Sequence, residues 1–268
     1  MAKLGDLGTD KVLAEVDQGI GWLTFNNPAK HNALGLEMSQ GATKALEAFA
    51  ADPAVRAVVL TGAGEKAFVS GADISEFAQR RANSAQAAEY DSKTGGVHRA
   101  VRVFEKPTLA MIRGYCMGGG LALAAACDLR FCSEDSQFAI PAARLSIVYR
   151  GDFLRWVLEL IGPSHTKDIV FSARRVKADE ALQMGLVNRV LPAAELETAV
   201  REYCARLVDN APLSLRGTKL GVDTLMQDPA DREPGLLDRI TAECFDSADF
   251  KEGRQAFMEK RRPVWQGK

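Results

Sequence analysis

The sequence predicts an α/β fold with a helical tail. Three observations carry this: short apolar strand-like runs alternate with helical stretches through the first half of the chain, glycine-bearing turns separate several of them, and beyond Arg150 the pattern becomes mainly helical.

The elements follow in order. Strand-like runs over 12–16 and 20–25 flank Asp17-Gln18-Gly19, which reads as a hairpin turn. Leu36, Ala42, Leu46 and Phe49 lie near helical spacing and predict a helix over 36–51, stopped by Asp52-Pro53. Residues 55–61 read as a buried strand, 107–112 and 128–132 as further strands, and 187–191 as one late strand. The proline-containing stretch 228–234 interrupts the final helices.

Gly118-Gly119-Gly120 lies between the strand-like run 107–113 and a small-residue helical run, 121–127. Glycines there let a ligand approach the backbone closely, and the first-turn N–H groups of a helix lack intrahelical partners and carry the positive end of its dipole. A second such turn, Ser70-Gly71-Ala72-Asp73-Ile74, follows an apolar segment and reads as the start of a short helix. Two backbone donors aimed at one carbonyl oxygen, from Ala72 and Gly119, would form an oxyanion hole for an enolate or a tetrahedral intermediate. Gly62-Ala63-Gly64-Glu65-Lys66-Ala67 matches a dinucleotide-binding fingerprint, but another apolar pair and glycine turn follow where that fold needs a full helix. It reads as a loop leading to Ala72.

Composition agrees with a soluble enzyme. A chain of 268 residues, 47% hydrophobic, can build one large core plus an appended helical segment. A net charge of −1 gives no reason to expect nucleic acid or an anionic membrane as partner. No apolar run approaches the ~20 residues that span a bilayer, and the Met-Ala-Lys start lacks a signal-peptide core, so a cytoplasmic location is expected. The five cysteines, Cys116, Cys127, Cys132, Cys204 and Cys244, read as buried free thiols. His31, His98 and His165 are scattered with no carboxylate at ligand spacing, so no metal site is expected.

Several blocks resemble the crotonase superfamily, the enoyl-CoA hydratase/isomerase family. They are Asn27-Pro28-Ala29-Lys30-His31-Asn32-Ala33-Leu34, Ala67-Phe68-Val69-Ser70-Gly71-Ala72-Asp73-Ile74, Gly114 to Gly120 running on to Cys127-Asp128, Ala178 to Asn188, and Asp249-Phe250-Lys251-Glu252-Gly253 with Phe257. They fall in family order and cover residues 12–262. The resemblance implies a crotonase-type right-handed spiral of repeated ββα units over 1–200 and a C-terminal helical trimerisation region over 201–268. It implies an acyl-CoA thioester substrate, with coenzyme A as part of that substrate and no other cofactor. A homotrimer or a dimer of trimers is expected. Lys30, Ala33, Ala72, Asp73 and Ile74 match family positions along the adenine and pantetheine path. Phe257 and Lys260 match the C-terminal helix that meets the adenosine phosphate.

The chemistry departs from the family. Hydratases carry two glutamates that hold and activate water; the matching positions here are Ala122 and Ala142. Alanine exchanges no proton, and each lost acid or base costs ~10²–10⁴-fold. Tyr149, Asp152 and Glu159 lie just downstream, and the run 138–149 keeps the spacing of the methylmalonyl-CoA decarboxylase branch, whose tyrosine falls at Tyr149. Decarboxylation produces the enolate directly and needs no base. Against that branch, this chain has Ala72 where the branch has a histidine and Ala122 where it has a glutamate, so Arg144 or Tyr149 would have to serve the substrate carboxylate. Tyr149 also reads as a pocket-wall aromatic bonded to backbone, Asp152 as a helix N-terminal acid, and Arg144 as a surface ion-pair partner. The readings are an enolate-stabilising acyl-CoA enzyme, a decarboxylase or hydrolase of CoA thioesters using Tyr149 or Asp152, and a non-catalytic acyl-CoA-binding or assembly subunit.

Overall fold

The computed structural model describes residues 2–73, 86 and 94–268. Ile74, expected at the end of the second glycine turn, lies outside the described residues, as does the short helix expected to follow it.

The chain opens with β1 (Ala2–Lys3), β2 (Val12–Asp17) and β3 (Ile20–Phe25), paired antiparallel. Gln18 and Gly19 both have positive φ, 51° and 80°, which matches the twist of a two-residue hairpin. α1 (Leu36–Ala51) buries Met38, Ala42, Ala45, Leu46 and Phe49 on one face, and its first and last residues are those the spacing predicts.

Strands then come in pairs. β4 (Ala57–Gly62) leads into β5 (Ala67–Val69), and the next described helix is α2 (Gly96–Arg102). β6 (Thr108–Ile112) leads into β7 (Tyr115–Met117) and α3 (Gly119–Ala126), and β8 (Leu129–Ser133) leads into β9 (Gln137–Ala139). The first member of each pair joins a seven-stranded sheet, ordered β1-β2-β3-β4-β6-β8-β11, with β11 at Arg189–Leu191; the second joins a four-stranded sheet, ordered β10-β9-β7-β5, with β10 at Val176–Lys177. β4, β6 and β8 run parallel, as do β5, β7 and β9. This is the repeated ββα spiral.

Both faces of the large sheet are covered, which is why β4 and β6 read as continuous apolar runs. One face meets the main core with Phe25, Phe49, Phe68 and Phe138; the other meets α6 (Leu196–Val208) through Trp22, Val59, Phe131, Val200 and Cys204. The remaining helices are α4 (Gly151–Ser172), kinked at Gly162-Pro163, α5 (Ala178–Met184), α7 (Pro212–Leu225), α8 (Leu236–Asp246) and α9 (Ala248–Glu259). α6 runs through residue 200. β7 and β10 are strands that apolar patterning does not pick out, because they are three and two residues long. All five cysteines are free, four of them buried and Cys244 partly exposed.

Candidate active site

The parallel register of the small sheet builds the site. Val69 of β5 pairs with Cys116 of β7, and Met117 of β7 pairs with Ala139 of β9. Neighbouring parallel strands end side by side, so the segments leaving them, Ser70-Gly71-Ala72, Gly118-Gly119 and Ile140-Pro141-Ala142, converge on one cavity of ≈ 170 Å³. The walls also include Leu34, His98, Ile147, Tyr149, Arg150 and Phe153.

At the first turn, Leu34 N–H donates to the Gly71 carbonyl at 2.8 Å and Asp73 N–H donates to the Leu34 carbonyl at 3.0 Å. These bonds hold the backbone on both sides of Ala72, whose own N–H donates to no described group. Asn32, fully buried, anchors the incoming segment by donating from Nδ2 to the carbonyls of Ala63 and Ala67.

At the second turn, Gly118 has φ 49° and ψ −116°, a backbone conformation closed to residues with a Cβ. Gly118 N–H donates to the Ala139 carbonyl at 2.8 Å, and Ala122 N–H donates to the Gly118 carbonyl at 3.1 Å. Gly119 N–H donates to no described group, and a Cβ placed on Gly119 would lie 3.8 Å from Ala72 N. The two unpaired donors are therefore close neighbours. Gly120 carries the close approach: a Cβ there would lie 2.0 Å from the Val69 carbonyl oxygen.

Two buried polar side chains grip this turn. Tyr149 Oη–H donates to the Gly118 carbonyl at 2.8 Å, and burial pushes its hydroxyl far above the usual phenol range. His98 Nε2 lies 2.8 Å from the Gly119 carbonyl. Since a carbonyl only accepts, Nε2 carries the proton. Burial pushes the His98 pKa down to about 4, opposed by that carbonyl, so the ring is neutral at pH 7. The ring also stacks on Phe153, with centroids 4.5 Å apart. His98 has no metal-ligand or carboxylate spacing to mark it in the sequence; its one signal is its place between Val97 and Val101 on the apolar face of a helix.

The remaining candidates fall elsewhere. Asp152 does not line the cavity: it lies in the first turn of α4, where Arg150 donates to it at 2.7 and 3.1 Å. Burial opposes its ionisation, but the Arg150 hydrogen bonds and charge outweigh this and hold the carboxyl below its ordinary range. Glu159 is paired with Arg102 and Arg155. Arg144 is exposed and outside the cavity; Arg150 lies in its wall. Ala142 lines the cavity, whereas Ala122 is fully buried in the core and is not among the lining residues. Lys30 Nζ lies 2.9 Å from Asp73 Oδ2, beside the partly exposed Ala33. Phe257, 86% exposed, and Lys260, at the end of α9, do not reach this cavity.

The family described as enoyl-CoA hydratase/isomerase matches residues 15–268. The chain belongs to the enoyl-CoA hydratase/isomerase family. It is 33% identical to a short-chain-enoyl-CoA hydratase of Clostridium acetobutylicum, covering 94% of this chain and 96% of the relative. It is 34% identical to a carnitinyl-CoA dehydratase of Salmonella enteritidis, covering 92% and 94%. Among solved structures, an enoyl-CoA hydratase/carnithine racemase from Magnetospirillum magneticum superposes with a TM-score of 0.93 at 35% identity, covering 97% of each chain. The crotonase spiral is thus the fold of this member of the enoyl-CoA hydratase/isomerase family, which is a family of lyases and isomerases acting on acyl-CoA thioesters. Among the described residues no cluster of histidine, cysteine or carboxylate side chains could hold a metal, and no helix is long and apolar enough to cross a membrane.

Proposed function

We propose that this acyl-CoA enzyme stabilises a thioester enolate between Ala72 N–H and Gly119 N–H. The observation that carries the reading is the pairing, at one cavity, of two backbone donors without a partner among the described residues, one of them in the first turn of α3. Both donors are fixed before substrate arrives, so they lose no reorganisation energy as negative charge develops on the thioester oxygen. The helix dipole of α3 adds to the field.

The route to the enolate differs from glutamate-pair hydration. Ala142 faces the cavity without a proton to exchange, Ala122 is sealed in the core, and no described lining residue is a carboxylate. The second reading is loss of CO₂ from a malonyl-type thioester. It is favoured by the same lack of described carboxylates, since cleavage of the bond between the carboxylate and the α-carbon leaves the electron pair as the enolate directly. Arg150, in the cavity wall, is better placed than Arg144 for an acidic acyl group.

For coenzyme A we propose a path along Lys30, Ala33, Ala72, Asp73 and Ile74; the first four border the first turn, and Ile74 lies outside the described residues. Phe257 and Lys260 would serve the cavity of a neighbouring copy. Exposed Phe245, Phe250, Phe257, Met258 and Val264 give the region from 201 onward an apolar surface suited to trimer formation.

Incubation with enoyl-, 3-hydroxyacyl- and malonyl-type CoA thioesters, followed by mass spectrometry of the products, tests the reading. Turnover of at least one class is expected. No turnover across the panel, with binding retained, would favour a non-catalytic acyl-CoA-binding subunit.

A further inference from the structure

The peptide between Gly118 and Gly119 has two ends with different partners. Its carbonyl accepts from Tyr149 Oη–H at 2.8 Å and from Ala122 N–H at 3.1 Å, while its N–H, on Gly119, is the donor left at the cavity. The peptide is trans, so its carbonyl and N–H point in opposite directions. Whatever holds the carbonyl toward the core also aims the N–H at the ligand. Gly118, at φ 49°, leaves this peptide freer to rotate than any other residue would. The next carbonyl, of Gly119, is held by His98 Nε2–H. Hydrogen bonds to a carbonyl also polarise its peptide and make the N–H a stronger donor.

Tyr149 is built into this arrangement. The residue is 8% exposed and its ring packs on Phe153, with centroids 5.7 Å apart. Its hydroxyl proton is committed to Gly118, and burial disfavours the phenolate a base would need. Resting on the enolate reading above, we infer that Tyr149 is a positioning residue: through the Gly118 carbonyl it orients and polarises the peptide whose N–H, on Gly119, takes the thioester oxygen.

The probe is cinnamoyl-CoA, whose conjugated thioester absorbs at longer wavelength when its carbonyl is polarised. The full-length wild type is expected to red-shift the bound probe. Tyr149→Phe keeps the ring and removes one hydrogen bond, so it should lose at least half of the red shift while the probe's Kd changes little. Turnover of the best substrate should fall roughly 3- to 10-fold, the ordinary worth of one hydrogen bond. Gly119→Pro, which deletes one of the two donors outright, should lose more of the red shift than Tyr149→Phe does. If Gly119→Pro keeps the full shift, the hole itself is refuted. If Gly119→Pro loses the shift while folded Tyr149→Phe retains all of it, the hole stands and the role of Tyr149 is overturned. Should Tyr149→Phe not fold, Tyr149→Met, which fills the same space adaptably, is read by the same criterion.

Discussion

Ala122 and Ala142 show why two alanines at family glutamate positions are not equivalent. Ala142 stands in the cavity wall, so Ala142→Glu gives the new carboxylate access to solvent. Ala122 is 0% exposed in the main core, so Ala122→Glu buries a carboxylate without a partner. The first is expected to change stability by less than ~1 kcal/mol and the second to cost ~3 kcal/mol or more, read from urea midpoints. Equal midpoints would mean that Ala122 has a cavity-facing environment. A gain in crotonyl-CoA hydration is expected first from Ala142→Glu.

His98 supplies a pH dependence with a definite sign. Its pKa is lowered from 6.5 to about 4 in the folded protein, so the unfolded chain binds a proton that the folded one refuses. Stability is therefore fully present above pH 6.5 and lost as pH falls toward 4, by about 3 kcal/mol if nothing else titrates. His98→Gln keeps a donor for the Gly119 carbonyl and should flatten the pH dependence of Tm across that window. An unchanged slope would show that His98 is not the group responsible.

Among the elements, the glycine turn is where local sequence and long-range packing meet. Strand pairing sets Gly120 against the Val69 carbonyl at a distance no Cβ could occupy, whereas Gly119 has ordinary van der Waals room. Gly120→Ala should therefore cost ~3 kcal/mol or more, since two backbones must separate, and Gly119→Ala much less. Comparable unfolding midpoints for the two variants would contradict the packing described. The turn and its small-residue helix were legible in the sequence because glycine runs between apolar segments have few other uses. α1 was legible from its spacing and its Asp52-Pro53 stop. β7 was not: three residues with partial exposure carry no period. Nor was the grip of His98 on the turn, because α2 and α3 are brought together only by the spiral. Tyr149 was legible as a candidate, and its backbone partner was one of the roles its chemistry allowed.

For the whole molecule, the spiral explains how segments 70–72, 118–119 and 140–142 share one cavity: each turn of the spiral adds one segment to the same end of the small sheet, and Leu34, His98 and Tyr149 complete the wall. The C-terminal helices leave Phe245, Phe257 and Met258 59%, 86% and 69% exposed, large apolar side chains of the kind an association surface covers. A trimer or a dimer of trimers is expected by light scattering at micromolar concentration, and a monomer would refute the trimerisation role. The proposed hole requires Gly119 N–H to take up the developing charge. Gly119 is the first residue of α3, a position where proline is accommodated, and a Cβ there would meet only ordinary van der Waals contacts, the nearest at 3.8 Å. The most direct measurement is kcat/KM of Gly119→Pro with the thioester the wild type turns over, at matched Tm. A loss of ~10²–10³-fold, or ~2.7–4 kcal/mol, is expected; unchanged kcat/KM in a folded variant would contradict the oxyanion hole.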